Sequence, residues 1–271
     1  METSVRALAL VAAAAATLMG VAAPAQAKGS ALFGYGSQFL LGDSLGGTAN
    51  HVFSYGNAGD TAYFGDWDGN GTDTPLVRRG NSFYLRNSLS SGTADTAFSY
   101  GDPHDEILVG DWDGDGTDTL AAHRGGTFYV RNSLTTGAAD KVFNFGDPND
   151  VVLVGDWDGD GADTVGVLRG NTYFLMPAEG SHAGVTTFAY GDPSDRVLVG
   201  DWDGNGTDTP AVSRGNTYYL KNSLTFGSAD VVTRYGNPGD LAFAGDWDGN
   251  GTDTFGVRRS TSSDPQQNPR D

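Results

Sequence analysis

The ten residues Gly-Asp-Trp-Asp-Gly-Asn-Gly-Thr-Asp-Thr that begin at Gly65 recur at Gly110, Gly155, Gly200 and Gly245 with few changes. The spacing is 45 residues every time, and all five tryptophans of the chain occupy the same place in the motif. A fixed period of this length means one structural unit repeated, each copy burying its apolar face against the next. No fold that ignores the period is available to this chain.

One unit stands for the others. A short continuous apolar run, EILVG over 106–110, leads into the acidic motif, with counterparts beginning at Thr61, Val151, Arg196 and Leu241. Continuous apolarity predicts a strand covered on both faces. A second run follows the motif, as in 119–124 and 164–169, and ends at a two-residue hairpin signal: Gly80-Asn81, Gly125-Gly126, Gly170-Asn171 or Gly215-Asn216. The third run is aromatic (82–88, 127–133), and a Ser/Thr/Gly-rich turn leads to the fourth (95–100, 140–145). No window carries a helical period. Four short strands per repeat match one propeller blade.

The ends of the chain set the blade count. Residues 38–43 and 51–55 resemble third and fourth runs, whereas 241–245 and 255–259 resemble first and second runs. Each end is half a blade, and together they make one. The expected fold is therefore all-β, a five-bladed β-propeller over residues 28–259 whose ring closes in a blade shared by the N- and C-terminal strands. Closure also removes exposed sheet edges. Residues 31–35 duplicate a second-strand pattern and read as a lead-in.

Residues 1–27 read as a secretory signal peptide: Arg6, an apolar stretch over 7–19, then Ala25-Gln26-Ala27. The stretch is shorter than the roughly 20 residues of a spanning helix. The expectation is a secreted protein, extracellular or cell-wall associated, without membrane insertion. Residues 260–271 are polar and contain proline, and are expected to be disordered. The absence of cysteine excludes disulfides, thiolate metal sites and cysteine nucleophiles. The net charge is −18, and half of the 34 acidic residues fall in the five motifs. Such a surface argues against nucleic acid or anionic membranes as partners.

Counting the first Asp of each motif as position 1, oxygen-bearing side chains occupy positions 1, 3 and 5. They are Asp66, Asp68 and Asn70; Asp111, Asp113 and Asp115; Asp156, Asp158 and Asp160; Asp201, Asp203 and Asn205; Asp246, Asp248 and Asn250. Glycine at position 6 permits a sharp bend, and the carbonyl at position 7 adds another oxygen. Ca²⁺ takes six to eight oxygen ligands, and this alternation lets one turn direct several of them to one centre. About one Ca²⁺ per loop, five in total, is the cofactor expectation. The loops are not EF-hands, because position 12 holds Val77, Ala122, Val167, Val212 or Val257 rather than Glu, and both flanks read as strands.

Asp-x-Asp-Gly-Asp/Asn-Gly between two short apolar strands resembles the FG-GAP (VCBS-type) repeat of integrin alpha-subunit propellers and related bacterial secreted proteins. The resemblance implies a β-propeller with Ca²⁺ in the hairpin joining the two inner strands of each blade. It also implies a last acidic ligand at position 9, where this chain has Thr74, Thr119, Thr164, Thr209 and Thr254. The acid stands at position 8 instead, as Asp73, Asp118, Asp163, Asp208 and Asp253. Along a strand a one-residue shift turns a side chain to the other face. Either the loop is rebuilt around the Asp, or the Thr hydroxyl closes the shell.

Other repeated residues read first as structure. The tryptophans are expected between blades rather than as sugar platforms. Arg79, Arg124, Arg169, Arg214 and Arg259 are expected to pair with a carboxylate. In Phe83-Tyr84, Phe128-Tyr129, Tyr173-Phe174 and Tyr218-Tyr219, one ring is expected in the core and one toward solvent, where it offers a groove for carbohydrate. Residues 176–185, with Glu179 and His182, read as drift of an outer hairpin. The leading function is a binding or adhesion module whose partner is a glycan or an extracellular protein. An enzyme is the alternative, a carbohydrate-active one on a five-bladed propeller; a purely structural cell-surface protein is the third reading. Catalysis on sugars needs an asymmetric carboxylate pair, and five identical loops do not supply one, so no catalytic residue is assigned.

Overall fold

The computed structural model describes residues 31–34 and 36–259; the expected signal peptide and C-terminal tail lie outside the described residues. Among the described residues the first strands are β1 (Gln38–Leu41) and β2 (His51–Ser54). The first blade is β3 (Thr61–Gly65), β4 (Thr74–Arg79), β5 (Ser82–Leu85) and β6 (Thr96–Ser99). The second is β7 (Glu106–Gly110), β8 (Thr119–Arg124), β9 (Thr127–Arg131) and β10 (Lys141–Asn144). The third is β11 (Val151–Gly155), β12 (Thr164–Arg169), β13 (Thr172–Leu175) and β14 (Thr186–Ala189). The fourth is β15 (Arg196–Gly200), β16 (Thr209–Arg214), β17 (Thr217–Leu220) and β18 (Val231–Arg234). The last described strands, β19 (Leu241–Gly245) and β20 (Thr254–Arg259), join β1 and β2 in the order β19-β20-β1-β2. Five four-stranded antiparallel sheets form a ring, the expected five-bladed propeller with one blade shared by both ends.

The apolar runs explain which strand lies where. β7 leaves Ile107 to Gly110 buried in succession, because side chains on both faces meet a neighbouring blade. The third strands alternate instead, as in β5, where Phe83 and Leu85 are buried and Ser82 and Tyr84 are not. The core consequently lies between blades rather than within them. One cluster joins Tyr63, Trp67 and Phe83 of the first blade to Ile107, Val109 and Leu120 of the second. Tyrosines at the ends of the outer strands reinforce these seams: Tyr55, Tyr100 and Tyr190 donate to the carbonyls of Tyr84, Tyr129 and Tyr219 on the next blade at 2.7–3.1 Å.

Two expectations change. The third strands stop earlier than the aromatic runs: β5 ends at Leu85 and β9 at Arg131, where the chain enters an outer loop whose carbonyls accept from the side chain of Arg86 or Arg131. The lead-in does not act as a second strand. Leu32 pairs with Ala62 of the inner strand β3 through both backbone hydrogen bonds. It is buried with Phe39, Phe64, Phe243 and Trp247, wedged where the fifth blade meets the first. Arg258 of β20 holds it there, donating to the carbonyls of Leu32, Gly36 and Asp60. Burial pulls the Arg258 pKa down to about 10. The wedge packs into the seam that the chain crosses from β2 to β3, while the ring itself closes inside the fifth blade, where β20 pairs with β1.

Candidate metal centres

Each acidic motif forms the hairpin between the first and second strands of a blade, so all five loops collect at one end of the ring. The position-1 carboxylate organises each loop. In the second blade Asp111 Oδ1 accepts from the amides of Gly114 at 2.9 Å and Asp115 at 3.2 Å, and Oδ2 accepts from Gly116 at 2.7 Å. Asp156, Asp201 and Asp246 repeat all three bonds. A chain that wraps three amides around one carboxylate needs left-handed backbone, which explains Gly114 at φ 71° and Gly116 at φ 87°. At position 5 the side-chain oxygen accepts from the position-7 amide, whether the residue is Asp115 or Asn70. That shared bond explains why the two residue types exchange there.

The structure brings together Asp111, Asp113 and Asp115, and likewise Asp156, Asp158 and Asp160, with carboxylate oxygens within 4.8 Å of one another. In the other loops position 5 is Asn70, Asn205 or Asn250, whose side-chain oxygen accepts from the position-7 amide. Elsewhere acidic groups are matched: Asp60, Asp105, Asp150, Asp195 and Asp240 each hold an arginine. Among the described residues, no Lys, Arg or His forms a salt bridge to an acid at positions 1 or 3, or to Asp115 or Asp160. Burial pushes the Asp111 and Asp246 carboxyls up against the loop amides that favour their charge. Burial, then the Asp160 and Asp156 charges, does the same to Asp158. Hard oxygens, convergent charge and no basic partner fit a divalent cation. These two triads can hold a metal ion.

The position-8 aspartates occupy a different place. Asp118 lies outside the Asp111 cluster, on the seam with the preceding blade, where its Oδ2 accepts from the amide of Asp66 at 2.8 Å. Asp73, Asp163, Asp208 and Asp253 make the same contact with Asp246, Asp111, Asp156 and Asp201. The position-9 hydroxyls of Thr164 and Thr254 turn away from the loop, donating to the carbonyls of Met176 and Gly42. Around the axis, the position-1 and position-8 aspartates of all five blades line a cavity of about 360 Å³.

The remaining repeated residues take structural places. All five tryptophans are buried, and Trp67 and Trp202 donate Nε1 to the carbonyls of Thr74 and Thr209, closing the neck of the loop. The repeated arginines form two-point contacts with their aspartates at 2.5–3.0 Å. Four of these guanidinium groups also cover the rings of Tyr84, Tyr129, Phe174 and Tyr219 at 4.9–5.2 Å. The outward ring of each aromatic pair thus has an arginine on it rather than a free face. The aspartate partners were visible in the sequence as an Asp recurring every 45 residues in the turn before each first strand, at Asp60 through Asp240. In the divergent segment Met176 is buried, Glu179 pairs with Lys141 of the second blade, and His182 lies against Phe145.

No family model matches this chain, and no curated protein matches it. Among solved structures it is similar to BBS1N in complex with ARL6DN, seen in crystals soaked with mercury and with lead. Identity is 12% and 10%, the TM-scores are 0.36 and 0.39, and 65% and 67% of this chain is covered. The chain spans 54% and 58% of those structures, somewhat over half their length.

Proposed function

We propose that this protein is a calcium-binding propeller of the FG-GAP (VCBS) type, exported from the cell, that serves as a binding module. One observation carries the reading: acidic loops with convergent oxygens and no basic partner repeat at one end of the ring. Positions 1, 3 and 5, with the position-7 carbonyl, would hold each ion. A bound ion supplies no reaction here; it offsets loop charge and ties the two inner strands of a blade together. Five divalent cations would bring ten positive charges against a net −18. Extracellular modules of this kind work at Ca²⁺ affinities of about 10⁻⁴–10⁻³ M, so millimolar calcium would load them.

The binding surface is the part of each unit that the cation loops and the core do not use, namely the outer strands and their loops. Arginine over the outward aromatic rings removes the simplest glycan platform, which favours a protein partner. Catalysis is not supported by the residues outside the repeat: Glu106 bonds His123 and Glu179 bonds Lys141, on different blades.

Calorimetric titration of the purified protein with CaCl₂ tests the reading. The expected outcome is saturable binding of about five ions and a melting temperature that falls in EDTA. Bound ligand stabilises by RT ln(1 + [L]/Kd), about 1.4 kcal/mol per site at tenfold excess over Kd. Absence of binding at 5 mM calcium, with melting unchanged by EDTA, would sink it. A glycan array probed with the loaded protein then separates a sugar partner from a protein one.

A further inference from the structure

We propose that the position-8 aspartate of each repeat is a latch: it positions the first aspartate of the preceding blade's loop instead of completing its own. Two independent features carry this. The first is a reciprocal pair of backbone contacts. Asp118 accepts the Asp66 amide through Oδ2 at 2.8 Å, and its own amide donates to the Asp66 carbonyl at 2.8 Å. The position-1 residue is thereby clamped on both sides of its α-carbon by a different blade. The same exchange links Asp163 to Asp111, Asp208 to Asp156 and Asp253 to Asp201. Asp73 closes the circuit on Asp246, across the seam between the fifth and first blades.

The second feature is the glycine that opens every motif. Gly65, Gly110, Gly155, Gly200 and Gly245 have no positive φ to explain them. A Cβ on Gly65 would stand 2.7 Å from Asp118 Oδ2, and one on Gly245 would stand 2.5 Å from Asp73 Oδ2. The other three meet Oδ2 of their latch at 2.8–3.0 Å. Glycine is required because the neighbour's carboxylate fills the space of a side chain. All five latch aspartates are buried, so their acceptor oxygens are held away from competing water.

The consequence is directional. Each loop's first ligand is set by the blade that follows it, and the five loops form one closed chain of contacts. Where the loops bind calcium, which rests on the function proposed above, a fault at Asp118 weakens the loop at Asp66, not the loop at Asp111 to which Asp118 belongs in sequence.

The test compares Asp118→Ala, Asp118→Asn and Gly65→Ala with Asp113→Asn. Amide hydrogen exchange in EDTA reads the latch without metal. Asp118→Ala and Gly65→Ala should each speed exchange of the Asp66 amide at least about tenfold, with Asp111 unchanged, and Asp118→Asn should keep part of the protection. Calcium titration of each variant in the Asp113→Asn background, whose second loop is already impaired, reads the coupling. Asp118→Ala should weaken one further site about tenfold. The proposal is overturned if Asp118→Ala leaves Asp66 protected, or if it changes nothing once the second loop is disabled, as a ligand of that loop would. If the unmodified protein binds no calcium, the function reading fails while the exchange data still decide the latch.

Discussion

Arg79 and Asp60 show what a repeated residue contributes on its own. Asp60 is buried while its partner is partly exposed, so the arginine satisfies a carboxylate that cannot reach water. Burial raises the Asp60 pKa, but the Arg79 hydrogen bonds and the Asn57 amide outweigh it and hold the carboxyl below its ordinary value. A group lowered in this way contributes stability above its unfolded pKa of about 3.9, and that contribution fades as pH falls through the folded value. Arg79→Ala should therefore cost about 1–2 kcal/mol at pH 7, at the low end for a buried acid because Arg79 is partly solvated. Melting curves of both proteins from pH 7 to pH 3 should converge toward the acid end. A gap that stays constant across that range would mean the arginine acts by packing on Tyr84, not by charge.

At the scale of the hairpin, glycines of two kinds hold the turns and seams. Gly80 lies in a two-residue turn at φ 65° with open space around it, so its requirement is conformational. Gly200 has an ordinary backbone and is crowded by Asp253 at 2.8 Å, so its requirement is steric and comes from another blade. Gly80→Ala should cost about 1–2 kcal/mol, the penalty of a left-handed residue with a Cβ. Gly200→Ala should cost more, because it displaces a buried carboxylate as well as crowding the seam. Chemical denaturation of the two variants checks the order, and equal losses would remove the distinction. The turn glycine was legible as Gly-Asn between two apolar runs. The seam glycine was legible only as a recurrence, since its neighbour in space, Asp253, lies in the following repeat.

For the whole molecule, ring closure and charge are the controlling terms. Loop carboxylates concentrated at one end repel across distances that salt screens, with a Debye length of about 10 Å at 0.1 M. Without divalent cations, melting temperature should climb as NaCl is raised from about 0.05 to 1 M. With saturating calcium the slope should flatten, because the ions have already offset the charge. Scanning calorimetry in EDTA and in calcium measures both slopes, and equal slopes would show that loop repulsion does not limit stability.

By itself the amino-acid order determined the repeat length, the strand content and the number of blades. It also determined that two half-blades must meet, and which side chains carry oxygen in the loops. The half-blades follow from counting repeats along the whole chain; the rest are properties of spacing within about 45 residues, the range over which hydrophobic period and turn chemistry act. What only the tertiary structure decided is what each repeat does for its neighbour. A sequence written in identical units does not say whether Asp118 serves its own loop or the loop before it, nor that Leu32 pairs with the inner strand instead of duplicating a second one. Contacts across a seam join residues far apart in the chain, and their direction depends on how the blades twist against one another. The ten-residue motif could be recognised from its own letters, but the role of its eighth position could be read only from the blade beside it.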